Sequence, residues 1–147
     1  MKIVSITSSL RQSGNTETIV QMLEGSLAKL DESVQITHIS LAKTKVEQCR
    51  GCRICFDRDE SFCPIKDELS GIIKEIKDAD AIIIASPVYV EDVNGTMKSF
   101  IDRMAFNSHR PSLYGKCAAL ITTSGAGSSN HALNTMKNAF SSWGANI

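Results

Sequence analysis

Along this chain the apolar residues switch repeatedly between the period of a strand and the period of a helix, and that alternation limits the fold more than any other feature. Lys2–Thr7 reads as a buried strand. Thr16–Leu30 reads as a helix with Ile19, Met22, Leu23, Leu27 and Leu30 on one stripe. Val34–Leu41 alternates as a strand, its apolar Val34, Ile36 and Ile39 mixed with polar residues as at a sheet edge. Ala42–Pro64 is irregular. Lys66–Asp78 is helical in period, with Leu69, Ile72, Ile73 and Ile76 in register, acids at its start and Lys74 and Lys77 near its end, the arrangement the helix dipole favours. Ala81–Ser86 is the most apolar strand and therefore central. Thr96–Met104 is a helix carrying Met97, Phe100, Ile101 and Met104, Cys117–Thr123 a strand, and Ser129–Trp143 a helix with Leu133, Met136, Phe140 and Trp143.

Strands separated by helices predict an α/β fold, a doubly wound parallel sheet with right-handed crossovers and helices on both faces. At 147 residues without a repeat or linker, the chain is expected to be one domain over 1–147. Gly144 reads as a helix C-cap, and Ala145-Asn146-Ile147 as the opening of a fifth strand. The expectation is therefore that the chain is a fragment or truncated, with the C-terminal strand and helix of such a sheet absent; the alternative, a native four-stranded sheet, would leave the Cys117 strand as an exposed edge needing cover.

Sixteen basic residues balance sixteen acidic ones, so no global field points to nucleic acid or an anionic membrane surface. The longest purely apolar runs, such as Ala81–Ala85, are far shorter than the roughly 20 residues of a membrane helix. The N-terminus lacks the apolar length and cleavage site of a signal peptide, and a cytoplasmic location is expected. Of five cysteines, four are bunched as Cys49, Cys52, Cys55 and Cys63. In a reducing compartment such bunching suggests metal or redox chemistry more than structural disulfides.

The loop Thr7–Thr16 after the first strand holds hydroxyls, one guanidinium, a glycine and the N–H groups of a helix start, a composition suited to an anion. Open α/β sheets bind ligands at the carboxyl ends of their strands, and this loop forms one side of that crevice. There is no G-x-x-x-x-G-K-[ST], so no ATPase loop. No cysteine lies in the loop for phosphatase chemistry, and no acidic pair follows the first strand as in a phospho-receiver. Gly125-Ala126-Gly127 supplies only half of a dinucleotide fingerprint.

Ser8-Ser9-Leu10-Arg11-x-x-Gly14-Asn15-Thr16 resembles the G-S-x-R-x-x-[GS]-N-T loop of the NADPH-dependent FMN reductase and iron–sulfur flavoprotein superfamily. Ser86-Pro87-Val88-Tyr89-Val90, followed by Met97-Lys98-x-x-Ile101-Asp102-Arg103, is similar to its S-P-x-Y-x…K-x-x-x-D-R motif. Cys49-Arg-Gly-Cys52-Arg-Ile-Cys55…Cys63 through Asp67-Glu68 resembles its C-x-G-C-x-x-C…C-x-x-x-D-[DE] segment, and Thr123–Gly127 its glycine loop. The departures are Ser8 for a usual glycine, Leu10 for a frequent proline, and the missing C-terminal elements. The resemblance implies a flavodoxin-like sheet of order 2-1-3-4-(5), counted along the chain. It implies that Ser9, Arg11, Ser13, Gly14, Asn15 and Thr16 hold the FMN phosphate. Pro87, Val88, Tyr89 and Val90 would line the isoalloxazine, and Ser124, Gly125 and Gly127 its other edge. The chemistry agrees, since glycine loops let N–H groups approach ring carbonyls and an aromatic side chain packs on a flat π-system.

The cysteine spacing C-x2-C-x2-C-x7-C, with a proline after the fourth, resembles thiolate runs that hold [4Fe–4S] clusters, while zinc more often shows two separated knuckles. Many of the similar FMN-only reductases keep the pattern too, so free thiols and a redox disulfide stand beside a cluster. Cys117 is expected in the core. His38, His109 and His131 have no partners at ligand or triad spacing. The reading is an FMN-dependent oxidoreductase that takes hydride from NAD(P)H and passes electrons to free flavin, a quinone or a protein. The alternative is an electron carrier, with or without an iron–sulfur cluster, that has no turnover of its own. A homodimer or homotetramer with flavin sites near an interface formed partly by Phe106–Tyr114 is expected, with no nucleic-acid or membrane partner.

Overall fold

The computed structural model describes residues 1–147. Its sheet is built from β1 (Lys2–Thr7), β2 (Gln35–Ser40), β3 (Ala81–Tyr89) and β5 (Cys117–Thr123), with a two-residue β4 (Asp92–Val93) folded back on the end of β3. β1 pairs in parallel with β2 and β3, and β3 with β5, giving the order β2-β1-β3-β5. That is the flavodoxin-like order the sequence predicts, with β4 as an addition. The crossovers are α1 (Asn15–Leu30), α3 (Leu69–Asp78) and α4 (Gly95–Arg103), with α5 (Asn130–Ser142) following β5. A single helical turn, α2 (Ile54–Asp57), lies inside the irregular cysteine segment. No helix is long and apolar enough to cross a membrane.

Successive strand residues face opposite sides, and the two sides are covered unequally. Val4, Ile6, Ile82, Ile84 and Ala118 meet Leu69, Ile72, Met97, Phe100, Met136 and Phe140 of α3, α4 and α5 in the main core. Ile3, Ile83 and Ala85 meet Val20 of α1 in a smaller one. Beyond α1 this second side is open: Cys117 and Ala119 of β5 are exposed. Cys117, expected in the core, is exposed in this chain on the side that α1 does not reach. Asn146 adds a parallel bridge to Cys117, with Ala118 N–H donating to Asn146 O at 2.7 Å.

The apolar stripe expected on α1 is also not what is buried. Ile19, Met22 and Leu30 are exposed, Met22 by 68%. Thr16, Glu17 and Val20 form the buried face, with Leu23 and Leu27 half-buried. The inward turn is polar because β1 offers it a polar partner. Thr7 Oγ1 donates to Glu17 Oε2 at 2.8 Å, which satisfies both groups where water is excluded. His38 is not partnerless either. Its Nε2 lies 2.9 Å from Glu17 and its Nδ1 2.7 Å from Glu24, so it pins the edge strand β2 to α1.

Candidate functional site

Three loops meet at the carboxyl ends of the strands. In the first, Ser8 N–H donates to Ala85 O at 3.0 Å, continuing the β1–β3 pairing past Thr7. Ser9 Oγ donates to Arg11 O at 2.9 Å, and Gly14 N–H donates to the same carbonyl at 3.1 Å, so the loop turns tightly on itself. A Cβ on Gly14 would stand 3.1 Å from Arg11 Cβ and 3.2 Å from Ser9 Oγ, which leaves little room for any other residue there. Gly14 is the N-cap of α1 and offers no side chain to it, so the first N–H groups of the helix stay open to a ligand. Ser9 and Thr16 are buried, Gly14 is half-buried, and Arg11, Ser13 and Asn15 are exposed.

The second loop differs from the expectation. β3 does not end at Ser86 but runs on through Pro87, Val88 and Tyr89 before reversing into β4, where Val88 pairs with Val93 and Tyr89 with Asp92. Pro87 is the last residue of the β3–β5 pairing, opposite Thr123, a rim position where a missing N–H is tolerated. The reversal uses Val90 at φ 48° and Glu91 at φ 67°, both left-handed, the pattern of a two-residue hairpin that normally employs Asn-Gly. Pro87 and Val88 are half-buried, Tyr89 is exposed, and Val90 is 100% exposed. In the third loop Ser124, Gly125 and Gly127 are exposed, with Gly127 at φ 80°. Thr16 and Thr123 hydroxyls hydrogen-bond, which joins this loop to the start of α1.

Asn94 ties the first two loops together, and it is absent from the expected site. It is buried, its Nδ2 donates to Ser8 O at 2.6 Å, and its Oδ1 accepts from Met97 N–H at 3.1 Å as the N-cap of α4. Its own N–H donates to Ser86 Oγ at 3.3 Å. An asparagine directly before the apolar period of Thr96–Met104 is an N-cap signal, so half of this role could be found in the sequence. The bond to Ser8 could not.

A further cavity lies elsewhere, over α3 and the end of α4. About 220 Å3 in volume, it is lined by all four bunched cysteines with Phe56, Ile65, Leu69 and Phe106. The cysteine segment, poor in apolar residues, is held through its backbone. Polar clasps replace the missing apolar contacts. Asp67 Oδ2 accepts from Glu47 N–H at 2.8 Å and Glu68 Oε2 from Lys45 N–H at 2.6 Å. Asp67 and Glu68, expected as the acidic first turn of a helix, precede α3 and fasten the segment instead. Arg110 donates to Phe56 O at 3.2 Å and to Cys55 O. Phe106 and Leu113 are buried, so the Phe106–Tyr114 stretch packs partly inward, with only Tyr114 among its large apolar residues well exposed. Gly51 at φ 64° and Arg53 at φ 63° give the two sharp turns that flank Cys52.

At the centre of the clasp is an ion pair. Arg103 Nη1 lies 2.6 Å from Asp67 Oδ2, with side-chain exposures of 3% and 1%. Nη1 also donates to Glu47 O at 3.0 Å, and Nη2 donates to Asp67 Oδ1 at 3.2 Å and to Cys63 Sγ at 3.8 Å. Burial pushes the Asp67 carboxyl up, but hydrogen bonds from Arg103 and from the Glu47 and Leu69 N–H groups outweigh it and hold the pKa below the ordinary carboxylate value. Burial pushes the Cys55 thiol up, and the other three sulfurs add to the rise.

No three ligating side chains converge on a single point, as a zinc ion with Zn–S bonds of about 2.3 Å requires. A [4Fe–4S] cluster makes a different demand, one thiolate on each of four separate irons, hence thiols spaced around a cavity. The four cysteines around one cavity match that donor set.

Because folding lowers the Asp67 pKa, its contribution to stability is complete at neutral pH. It drains away as the pH falls below about 4, the ordinary carboxylate range. Asp67→Asn should therefore remove that part of the acid limb in urea titrations of metal-free protein. Arg103→Ala, which leaves a buried carboxylate unpaired, should lower stability by about 3–5 kcal/mol at neutral pH. A loss below 1 kcal/mol would show that the pair does not hold the segment.

The chain matches the model of the family described as NADPH-dependent FMN reductase over residues 1–147. It is 33% identical over 146 residues to an iron–sulfur flavoprotein of Archaeoglobus fulgidus, covering 98% of this chain and 64% of that protein. The chain thus spans less than two thirds of that curated relative's length. Among solved structures it is similar to the apo form of an NADH:FMN oxidoreductase, with a TM-score of 0.72, 21% identity and coverage of 98% of this chain and 70% of that one. It is also similar to a flavodoxin from the domain Archaea, with a TM-score of 0.64, 18% identity and coverage of 100% and 78%. The doubly wound sheet, the loops at its carboxyl edge and the match along the whole chain place this protein in the NADPH-dependent FMN reductase family.

Proposed function

We propose that this chain is the FMN-binding part of an NAD(P)H-dependent oxidoreductase that relays electrons through a [4Fe–4S] cluster held by Cys49, Cys52, Cys55 and Cys63. The observation that carries the cluster is the placement of all four thiols around one enclosed cavity in a chain of this family. The name of the Archaeoglobus relative supports the same reading. When bound, FMN would supply the chemistry of taking two electrons from a nicotinamide and releasing them one at a time. The chain's own work is placement. Arg11, Ser9, Ser13, Gly14, Asn15 and Thr16, with the open start of α1, bind the phosphate. The β3–β4 turn at Pro87–Val90 packs on the ring, and Ser124, Gly125 and Gly127 present backbone N–H groups to its other edge. Free thiols at all five cysteines suit a reducing cytoplasm. The final acceptor is a small molecule or a partner protein.

Protein purified without oxygen should contain about four irons and four acid-labile sulfides per chain. Cys52→Ser should remove the iron and leave FMN in place, because the phosphate loop belongs to the sheet and not to the cysteine segment. Yellow, iron-free wild-type protein would end the cluster reading and make direct delivery to a quinone or free flavin the leading chemistry. Arg11→Ala should weaken FMN by about 1.5–3 kcal/mol, the worth of a hydrogen bond to a charged group, and scarcely affect riboflavin. Equal weakening of both flavins would remove Arg11 from the phosphate site. The fully exposed Val90 beside the ring site supports a homodimer or homotetramer with flavins near the interface. Light scattering at micromolar concentration should give at least twice the chain mass; a monomer refutes the assembly.

A further inference from the structure

We propose that Arg103 sets the reduction potential of the cluster through its hydrogen bond to Cys63, with Asp67 as the counter-charge that limits the effect. The inference rests on the cysteine cavity being a cluster site. Arg103 contributes two buried interactions that oppose one another electrostatically. Its Nη2 stands 3.8 Å from Cys63 Sγ, a normal reach for a hydrogen bond to sulfur, and is the one side-chain donor directed at any of the four cysteines. The other five cysteine-segment clasps end on carbonyls or backbone N–H groups, so they shape the segment without touching a sulfur. Both side chains of the pair are almost fully buried, at 3% and 1% exposure, so their charges are little screened.

Potentials of iron–sulfur clusters follow net charge and hydrogen bonds to the sulfurs. One-electron reduction adds one negative charge to the cluster and its four thiolates, with no bond made or broken. A guanidinium N–H on the Cys63 sulfur stabilises that charge and favours the reduced form, whereas the Asp67 carboxylate behind the guanidinium opposes it. Removing the two partners should therefore move the potential in opposite directions. A residue that only holds the segment in shape would not do this, since breaking either end of one clasp disturbs the cavity in the same way.

The test is a spectroscopic redox titration of the anaerobically purified holoprotein, with iron content measured on each sample. Arg103→Gln should lower the cluster midpoint and Asp67→Asn should raise it, each by at least tenfold in the reduction equilibrium, about 59 mV for one electron. Arg103→Lys, which keeps the charge and the fold but not the fork geometry, should fall less than Arg103→Gln. Should Arg103→Gln fail to fold, the opposed signs of Arg103→Lys and Asp67→Asn carry the same test. Shifts of the same sign, or none in iron-replete variants, overturn the role of Arg103 and leave the cluster standing. Iron-free wild-type protein overturns both together.

Discussion

One buried amide organises the catalytic end of this molecule. Asn94 caps α4 with its carbonyl oxygen and reaches across the sheet edge with its NH2 group to the carbonyl of Ser8. The loop after β1 and the loop after β3 are thus fastened to each other through a single side chain, and both are fastened to α4. That helix runs nine residues, about 14 Å at 1.5 Å per residue, and ends at Arg103. The loops of the proposed flavin site and the wall of the cysteine cavity are consequently the two ends of one rigid element.

The cysteine segment shows how a stretch without a core of its own is held. Its backbone is gripped by Asp67, Glu68, Arg103 and Arg110, each supplying charge-assisted hydrogen bonds to backbone N–H or carbonyl groups of the segment. Small metal domains often fold only when the metal binds, because nothing else offsets the entropy of ordering the ligands. Here polar clasps hold the backbone beside the cavity that the four cysteines line, and burial pushes the Cys55 thiol pKa up. A buried ion pair such as Arg103–Asp67 contributes little net stability over an apolar replacement, since desolvation consumes the Coulombic gain. Its value in this position is directional: it sets where the guanidinium points, and it points at Cys63.

Much of this was legible in the sequence, and the failures share a cause. The succession of strands and helices follows from apolar periodicity, because buried parallel strands must be apolar on both faces and their crossovers must be amphipathic, while the spatial order of the strands came from the family resemblance. The burial of α1 was misread because periodicity assumes that the apolar side faces inward, whereas Thr16 and Glu17 face inward to meet Thr123 and Thr7. Cys117 was misread because an apolar strand on an edge has one face that nothing in the sequence marks as covered or open. His38 lies 14 residues from Glu24 and 21 from Glu17 in sequence, yet both carboxylates reach its ring across the β1–β2 register. Asp67 and Glu68 sat where helix-dipole reasoning wants acids, and their actual partners, the N–H groups of Glu47 and Lys45, lie twenty or more residues upstream. Local rules hold where the partner is local.

The turn at Val90 and Glu91 is the point where local preference loses to the rest of the structure. A β-branched residue at φ 48° is costly, of the order of 1–3 kcal/mol, and the two-residue hairpin would be comfortable as Asn-Gly. What enforces it lies on either side. β3 is carried to Tyr89 by its pairing with β5, which reaches as far as Pro87 opposite Thr123. On the return path Val93 is buried and Asn94 is locked to Ser8, Ser86 and Met97. Only two residues are left to reverse the chain between Tyr89 and Asp92, and positive φ at both is the geometry that matches the strand twist over so short a span. The strain at Val90 is therefore maintained by Asn94, whose side chain never touches it. The result is a stiff, projecting tip at the edge of the shelf, with Tyr89 exposed on one side and an open backbone loop, Ser124–Gly127, on the other.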